Sequence, residues 1–158
     1  FRRVLFRSVG GTALWVGVGW WRAPSLPETA PAFSLPTLAG GHVALEEVRG
    51  QTVVLNFFAT WCGPCELELP TLLGFAADHP EVPVYFLAVD GKEAELRRYA
   101  ENHGMSLDHV VRLDSATHAA YQPETLPTTV VVDAEGRVAG AHSGVILLPQ
   151  LWWMTRRF

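Results

Sequence analysis

Cys62 and Cys65, in the run Trp61-Cys62-Gly63-Pro64-Cys65, are the two cysteines of this 158-residue chain. Whatever sulfur chemistry the protein performs, they perform together. A Cys-x-x-Cys pair serves thiol–disulfide exchange or zinc binding, and no second cysteine pair is present to complete a four-sulfur zinc site. The position of the pair favours exchange. Val53, Val54, Leu55, Phe57 and Phe58 form a β-branched and aromatic run, Ala59-Thr60 ends it, and Glu66-Leu67-Glu68-Leu69 are good helix formers. That pattern predicts a buried strand feeding the first turn of a helix. There the backbone N–H groups lack intrahelical partners and the helix dipole is positive, so a thiolate on Cys62 is stabilised. Pairs in this setting lower the first cysteine's pKa from about 8.5 to roughly 3.5–7.5. Pro64 fits the first helical turn, where its missing N–H costs nothing. One turn of helix then brings Cys65 beside Cys62.

The elements that must hold the pair follow from periodicity. Phe33 to Leu35 and His42 to Leu45 flank Gly40-Gly41 and predict an N-terminal β-hairpin, with a helical turn from Leu45 to Arg49 closed by Gly50. After the strand at 52–59 comes a helix from Cys62 to His79, expected to kink at Pro70. Val84 to Val89 reads as a second apolar strand, Lys92 to His103 as an amphipathic helix, His109 to Leu113 as a short strand, and Ser115 to Tyr121 as a short helix capped by Asp114 or Ser115. Thr128 to Asp133 and Arg137 to Ala141 predict a hairpin across Ala134-Glu135-Gly136, and Leu147 to Thr155 a final helix packing Leu148, Leu151 and Trp152 on the sheet. Strands alternating with helices before a terminal hairpin indicate an α/β fold, a mixed central sheet with helices on both faces.

Length implies one domain with a single well-buried core. A net charge of -4 offers no basic patch, so nucleic acid is not an expected partner. Residues 1–8 (FRRVLFRS) read as a non-native leader of the kind that a translated sequencing adaptor gives. Residues 9–22 read as the remnant of a membrane anchor or signal segment: the 13-residue apolar stretch Val9 to Trp21 is shorter than the ~20 residues of a spanning helix, and Trp20 and Trp21 beside Arg22 suit a membrane interface. Four glycines in that stretch argue against a packed soluble helix. Residues 23–30, rich in proline, read as an extended linker, and residues 31–158 as the globular domain.

Three motifs in order, PAFSLPTLAGGHVALEEVRGQ over 31–51, VVLNFFATWCGPCELELP over 53–70 and LPTTVVVDAEGRV over 126–138, resemble the thioredoxin-like fold and, within it, the TlpA/ResA/CcmG-type membrane-anchored thiol-disulfide oxidoreductases. The resemblance covers Pro31 to Gly144. It implies an N-terminal β-hairpin ahead of a thioredoxin core, Cys62 as the exposed nucleophile, Cys65 as the resolving thiol, and a cis Leu126–Pro127 bond beside the cysteines that presents the Leu126 backbone to a peptide. Trp61, Gly63, Pro64 and Leu126 are then the substrate-binding residues. Gly63-Pro64 is the dipeptide of reducing thioredoxins. The resemblance further implies a monomer on the outer side of a bacterial cytoplasmic membrane, recharged by a membrane-embedded thiol reductant and reducing protein disulfides such as those of apocytochrome c. Neither a cofactor nor a metal is expected.

Glu68 matches a glutamate of the ResA-type pattern implied to sit near the active site. It lies three residues after Cys65 and reads either as a solvated helix carboxylate or as an acid that tunes the thiols and accepts a proton. Asn56 stands where cytosolic thioredoxins carry a buried aspartate, which makes Glu68 the leading substitute. His103, His109 and His118 raise a different chemistry, a copper-handling protein of the Sco type with soft sulfur ligands, but that family resembles a Cys-x-x-x-Cys spacing and this chain has two intervening residues. A thiol peroxidase is the other alternative, and the chain lacks a Pro-x-x-x-Thr-x-x-Cys arrangement at the strand end.

Overall fold

The computed structural model describes residues 23–156, so the segments read as leader and anchor, 1–8 and 9–22, lie outside the described residues. Two short antiparallel strands, β1 (Ser34–Pro36) and β2 (His42–Ala44), pair Leu35 with Val43 and form the expected hairpin, followed by a 3-10 turn at Leu45–Val48. The remaining strands, β3 (Val53–Phe58), β4 (Val84–Ala88), β5 (Val110–Arg112), β6 (Thr128–Val132) and β7 (Val138–Ser143), make one five-stranded sheet in the order β5-β4-β3-β6-β7. β3 runs parallel to β4, and β4 to β5, whereas β6 is antiparallel to both β3 and β7. Among the described residues four α-helices complete the fold: α1 (Gly63–Asp78), α2 (Glu93–Asn102), α3 (Ser115–Tyr121) and α4 (Leu148–Thr155).

All six residues of β3 are buried, because both sheet faces are covered. The pleat divides them. Val54 and Phe58 face a core shared with Leu69, Leu72 and Phe75 of α1, Leu96 of α2 and Leu151 of α4, whereas Val53, Leu55 and Phe57 face a second core with Leu35, Val43 and Leu45 of the N-terminal hairpin and Tyr121 of α3. The Tyr121 hydroxyl donates to the Pro31 carbonyl at 2.7 Å and ties α3 to the entering chain. Asn56 lies on the α1 face, the one polar side chain in the middle of this strand.

α1 runs unbroken through Pro70. The missing N–H of that proline leaves the Glu66 carbonyl without its intrahelical donor, a loss that the packed face of Leu69, Leu72 and Phe75 outweighs. The final helix is turned differently from the reading above. Leu151 and Met154 face the sheet, while Leu148 and Trp152 are 50% and 45% exposed. Trp152 follows Leu151 by about 100° of helical rotation, and Met154 lies close over Gly140, where an added Cβ would come within 3.2 Å of its Cε. The end of the segment read as linker is docked as well: the Ala30 N–H donates to the Gly136 carbonyl, the Val138 N–H to the Glu28 carbonyl, and Thr29 bridges Arg137. These bonds hold residues 28–30 against the start of β7, and Leu26 packs on the core that Tyr121 shares. Among the described residues no helix is long and apolar enough to cross a membrane.

Candidate active site

β3, the central strand, ends at Phe58, and Cys62 occupies the N-cap position of α1. Its Sγ accepts from the Cys65 N–H at 3.2 Å, so the sulfur takes the place of the usual capping oxygen. The free N–H groups and the positive end of the dipole that the sequence predicts therefore meet at this atom. Cys62 and Cys65 form a disulfide with Cα atoms 5.3 Å apart. In this oxidised form Cys62 is only 6% exposed, so the expected exposed thiol is instead reached from one side. That side is a groove of about 460 Å³ lined by Trp61, Cys62, Val89, His118, Glu124 and Leu126, with Gly63 and Pro64 on its cysteine side. Cys65 lies behind, 3% exposed and packed in the α1 core.

Trp61 is 70% exposed, and its indole donates to the Asp90 carboxylate at 2.6 Å, which fixes the ring at the groove's mouth. The Leu126–Pro127 bond is cis, and Leu126 lines the groove opposite the cysteines. All four residues read as substrate-binding thus meet at one place.

Glu68 is not the solvated carboxylate of the blander reading. It is 1% exposed, and both oxygens are occupied: Oε1 accepts from Asn56 Nδ2 at 2.6 Å and Oε2 from the Ile146 N–H at 2.8 Å. Burial pushes its pKa from 4.5 up to about 7, against the lowering effect of the Ile146 and Asn56 hydrogen bonds. Asn56 also donates to Thr129 Oγ1 at 3.1 Å, and Thr129 pairs across the sheet with His142. A polar row of Asn56, Thr129 and His142 therefore runs across three strands under α1. His142 is buried, its Nδ1 has no hydrogen-bond partner among the described residues, and desolvation holds its pKa below the ordinary histidine value.

The three histidines that suggested copper are dispersed in role. His103 contacts the Tyr99 carbonyl and Glu66, His109 stacks on Tyr85, and only His118 reaches the cysteine groove. Among the described residues no group of three or more metal-ligating side chains comes together. The sequence reading missed Val89, Pro123, Glu124 and His142. Their strand and turn positions were legible, but not that Gln122 adopts a left-handed conformation, φ 48°, which swings Pro123 and Glu124 back toward Cys62.

A five-stranded mixed sheet with a disulfide at the N-terminus of its central helix and a cis-proline loop opposite defines a thioredoxin-fold redox protein. The chain belongs to the AhpC/TSA family, whose model matches residues 26–141. Relatives include the thiol-disulfide oxidoreductase ResA of Halalkalibacterium halodurans, 34% identical over 74% of this chain and 68% of the relative, and the thioredoxin-like protein YneN of Bacillus subtilis, 30% identical over 75% of this chain and 72% of the relative. A thiol:disulfide interchange protein of the thioredoxin family from Chlorobium tepidum TLS superposes with a TM-score of 0.74 at 25% identity, over 85% of this chain and 97% of that one. Fold, cysteine geometry and relatives together make this chain a thiol-disulfide oxidoreductase.

Proposed function

We propose that the protein works as a reductant of disulfides in extracytoplasmic proteins, tethered by its N-terminal segment to the bacterial cytoplasmic membrane, with the cysteines of apocytochrome c as a substrate of the right kind. The observation that carries the reading is the asymmetry of the pair: Cys62 borders the groove at a helix N-terminus, and Cys65 is enclosed behind it. The Cys62 thiolate attacks one sulfur of the substrate disulfide; that S–S bond breaks, a substrate thiolate leaves, and a mixed disulfide forms. Cys65, deprotonated, then attacks Cys62 Sγ, which closes the Cys62–Cys65 bond and frees the second substrate thiolate. Two electrons pass to the substrate, and the two protons of the dithiol end on its thiols. Glu68 follows Cys65 by one turn of α1, and its pKa of about 7 supports a role as the acceptor of the Cys65 proton. A membrane-embedded thiol reductant recharges the pair.

The direction of electron flow rests on Gly63-Pro64 and on the family resemblance. Reference potentials bracket the choice, about -270 mV for thioredoxin and about -120 mV for a strong oxidase, a gap worth roughly 7 kcal/mol. The oxidised-to-reduced ratio in dithiothreitol and glutathione buffers at pH 7 should place this protein near the thioredoxin value. A potential above about -180 mV would make it an oxidase or isomerase instead.

A further inference from the structure

Opposite the cysteines, the groove is walled by apolar Val89, Pro123 and Leu126 and carries two ionisable side chains, His118 and Glu124. Neither takes part in the exchange step, yet the fold goes to some trouble to bring them there. α3 ends with the Gln122 N–H donating to the His118 carbonyl, Gln122 enters the left-handed region, and the Glu124 N–H closes back on the Gln122 carbonyl at 2.8 Å. A left-handed conformation costs a residue with a side chain about 1–2 kcal/mol. That turn buries Pro123 against the groove wall and leaves Glu124 exposed at its rim, its carboxylate without, among the described residues, an ion pair or hydrogen bond of the kind that holds Glu46, Glu93 and Asp133. At the mouth Asp90, bonded to Trp61, adds a second carboxylate. His118, also on the groove lining, supplies a ring able to donate or accept a hydrogen bond.

We propose that Glu124 selects substrates: the groove takes the residue flanking the reactive cysteine of a peptide disulfide and prefers a basic side chain there, its aliphatic stem on Val89, Pro123 and Leu126 and its cation on Glu124. This rests on the oxidoreductase reading and names the substrate chemistry of the same site. The charge acts at the rim, so the preference appears in the encounter rate and weakens as salt rises.

The test uses pre-reduced full-length protein and synthetic peptides with one cysteine capped by thionitrobenzoate, flanked by Arg, Gln or Glu. The protein dithiol reduces each peptide's mixed disulfide, giving peptide thiol, thionitrobenzoate and the Cys62–Cys65 disulfide, and released thionitrobenzoate is followed by absorbance. At low salt the Arg peptide should react roughly five-fold faster than the Glu peptide, the equivalent of about 1 kcal/mol for an exposed pair. Glu124→Gln should remove most of that ratio and Glu124→Lys should invert it. Equal rates for the three peptides, or a ratio that both variants leave intact, would overturn the selection by Glu124 while the exchange reading stands. Failure to release thionitrobenzoate from any peptide would overturn both.

Discussion

Cys62→Ser should abolish disulfide exchange while leaving the fold in place. The cap supplied by Cys62 Sγ to the Cys65 N–H is one that a serine hydroxyl makes at least as well, since serine is among the preferred N-cap residues. The helix start, the groove and the packing of Cys65 therefore persist, and what disappears is the nucleophile. A serine hydroxyl without an activating base is a very weak nucleophile at neutral pH, whereas a thiolate at a helix N-terminus is a strong one. Reduction of a protein disulfide such as that of insulin should fall to the uncatalysed background, with the urea midpoint of the variant near that of the reduced wild type. A variant that still turned over substrate through Cys65 would reverse the assignment of nucleophile and resolving thiol.

The second large effect is a pH dependence of stability that originates at Glu68. Below pH 4.5 the carboxyl is protonated in both the folded and the unfolded chain. Between 4.5 and about 7 the unfolded chain ionises while the folded one retains its proton, so the folded state binds more protons and stability falls as pH rises. Above that window both are ionised and the penalty is constant. The separation of the two pKa values corresponds to about 3 kcal/mol. Glu68→Gln should remove this slope. The glutamine oxygen can accept from Asn56 or from the Ile146 N–H but not both, and its amide group faces the donor left over, at a cost of about 1–3 kcal/mol. The variant should thus be less stable than wild type at pH 5, with the difference closing or changing sign by pH 8. Urea unfolding of the oxidised proteins at both pH values measures this, and parallel stability curves would mean that Glu68 titrates as an ordinary surface acid.

Glu68 also shows where sequence reasoning stops. Its place on a helix three residues after Cys65 was legible from spacing. Its burial was not, because the donor that closes over it, the Ile146 N–H, lies 78 residues away in a segment whose path depends on how α4 docks. The same docking decides the orientation of α4 itself: Leu148, Leu151 and Trp152 are all apolar, and tertiary packing of Leu151 in the α1 core and of Met154 over Gly140 selects which of them faces the sheet. The strands and the cysteine junction were readable because their apolar runs and helix formers are local signals, and the boundaries of β3 and α3 agree with those signals to within about a residue. The groove is the opposite case. Trp61 and Cys62 come from the junction of β3 and α1, Val89 follows the end of β4, and Pro123, Glu124 and Leu126 come from a turn set by an unforeseen left-handed glutamine. No periodicity links those positions.

The central claim is that exchange proceeds through Cys62 with Cys65 as the resolving thiol, and Cys65→Ser tests it most directly. With no second sulfur to attack Cys62, the mixed disulfide cannot resolve and accumulates. Incubating the pre-reduced variant with a protein disulfide substrate and analysing the products by non-reducing gel and mass spectrometry should give a covalent adduct linked at Cys62 and released by dithiothreitol. The Cys62→Ser protein should give none under the same conditions. An adduct that forms with Cys62→Ser but not with Cys65→Ser, or the absence of any adduct from both while wild-type protein reduces the substrate, would contradict the account.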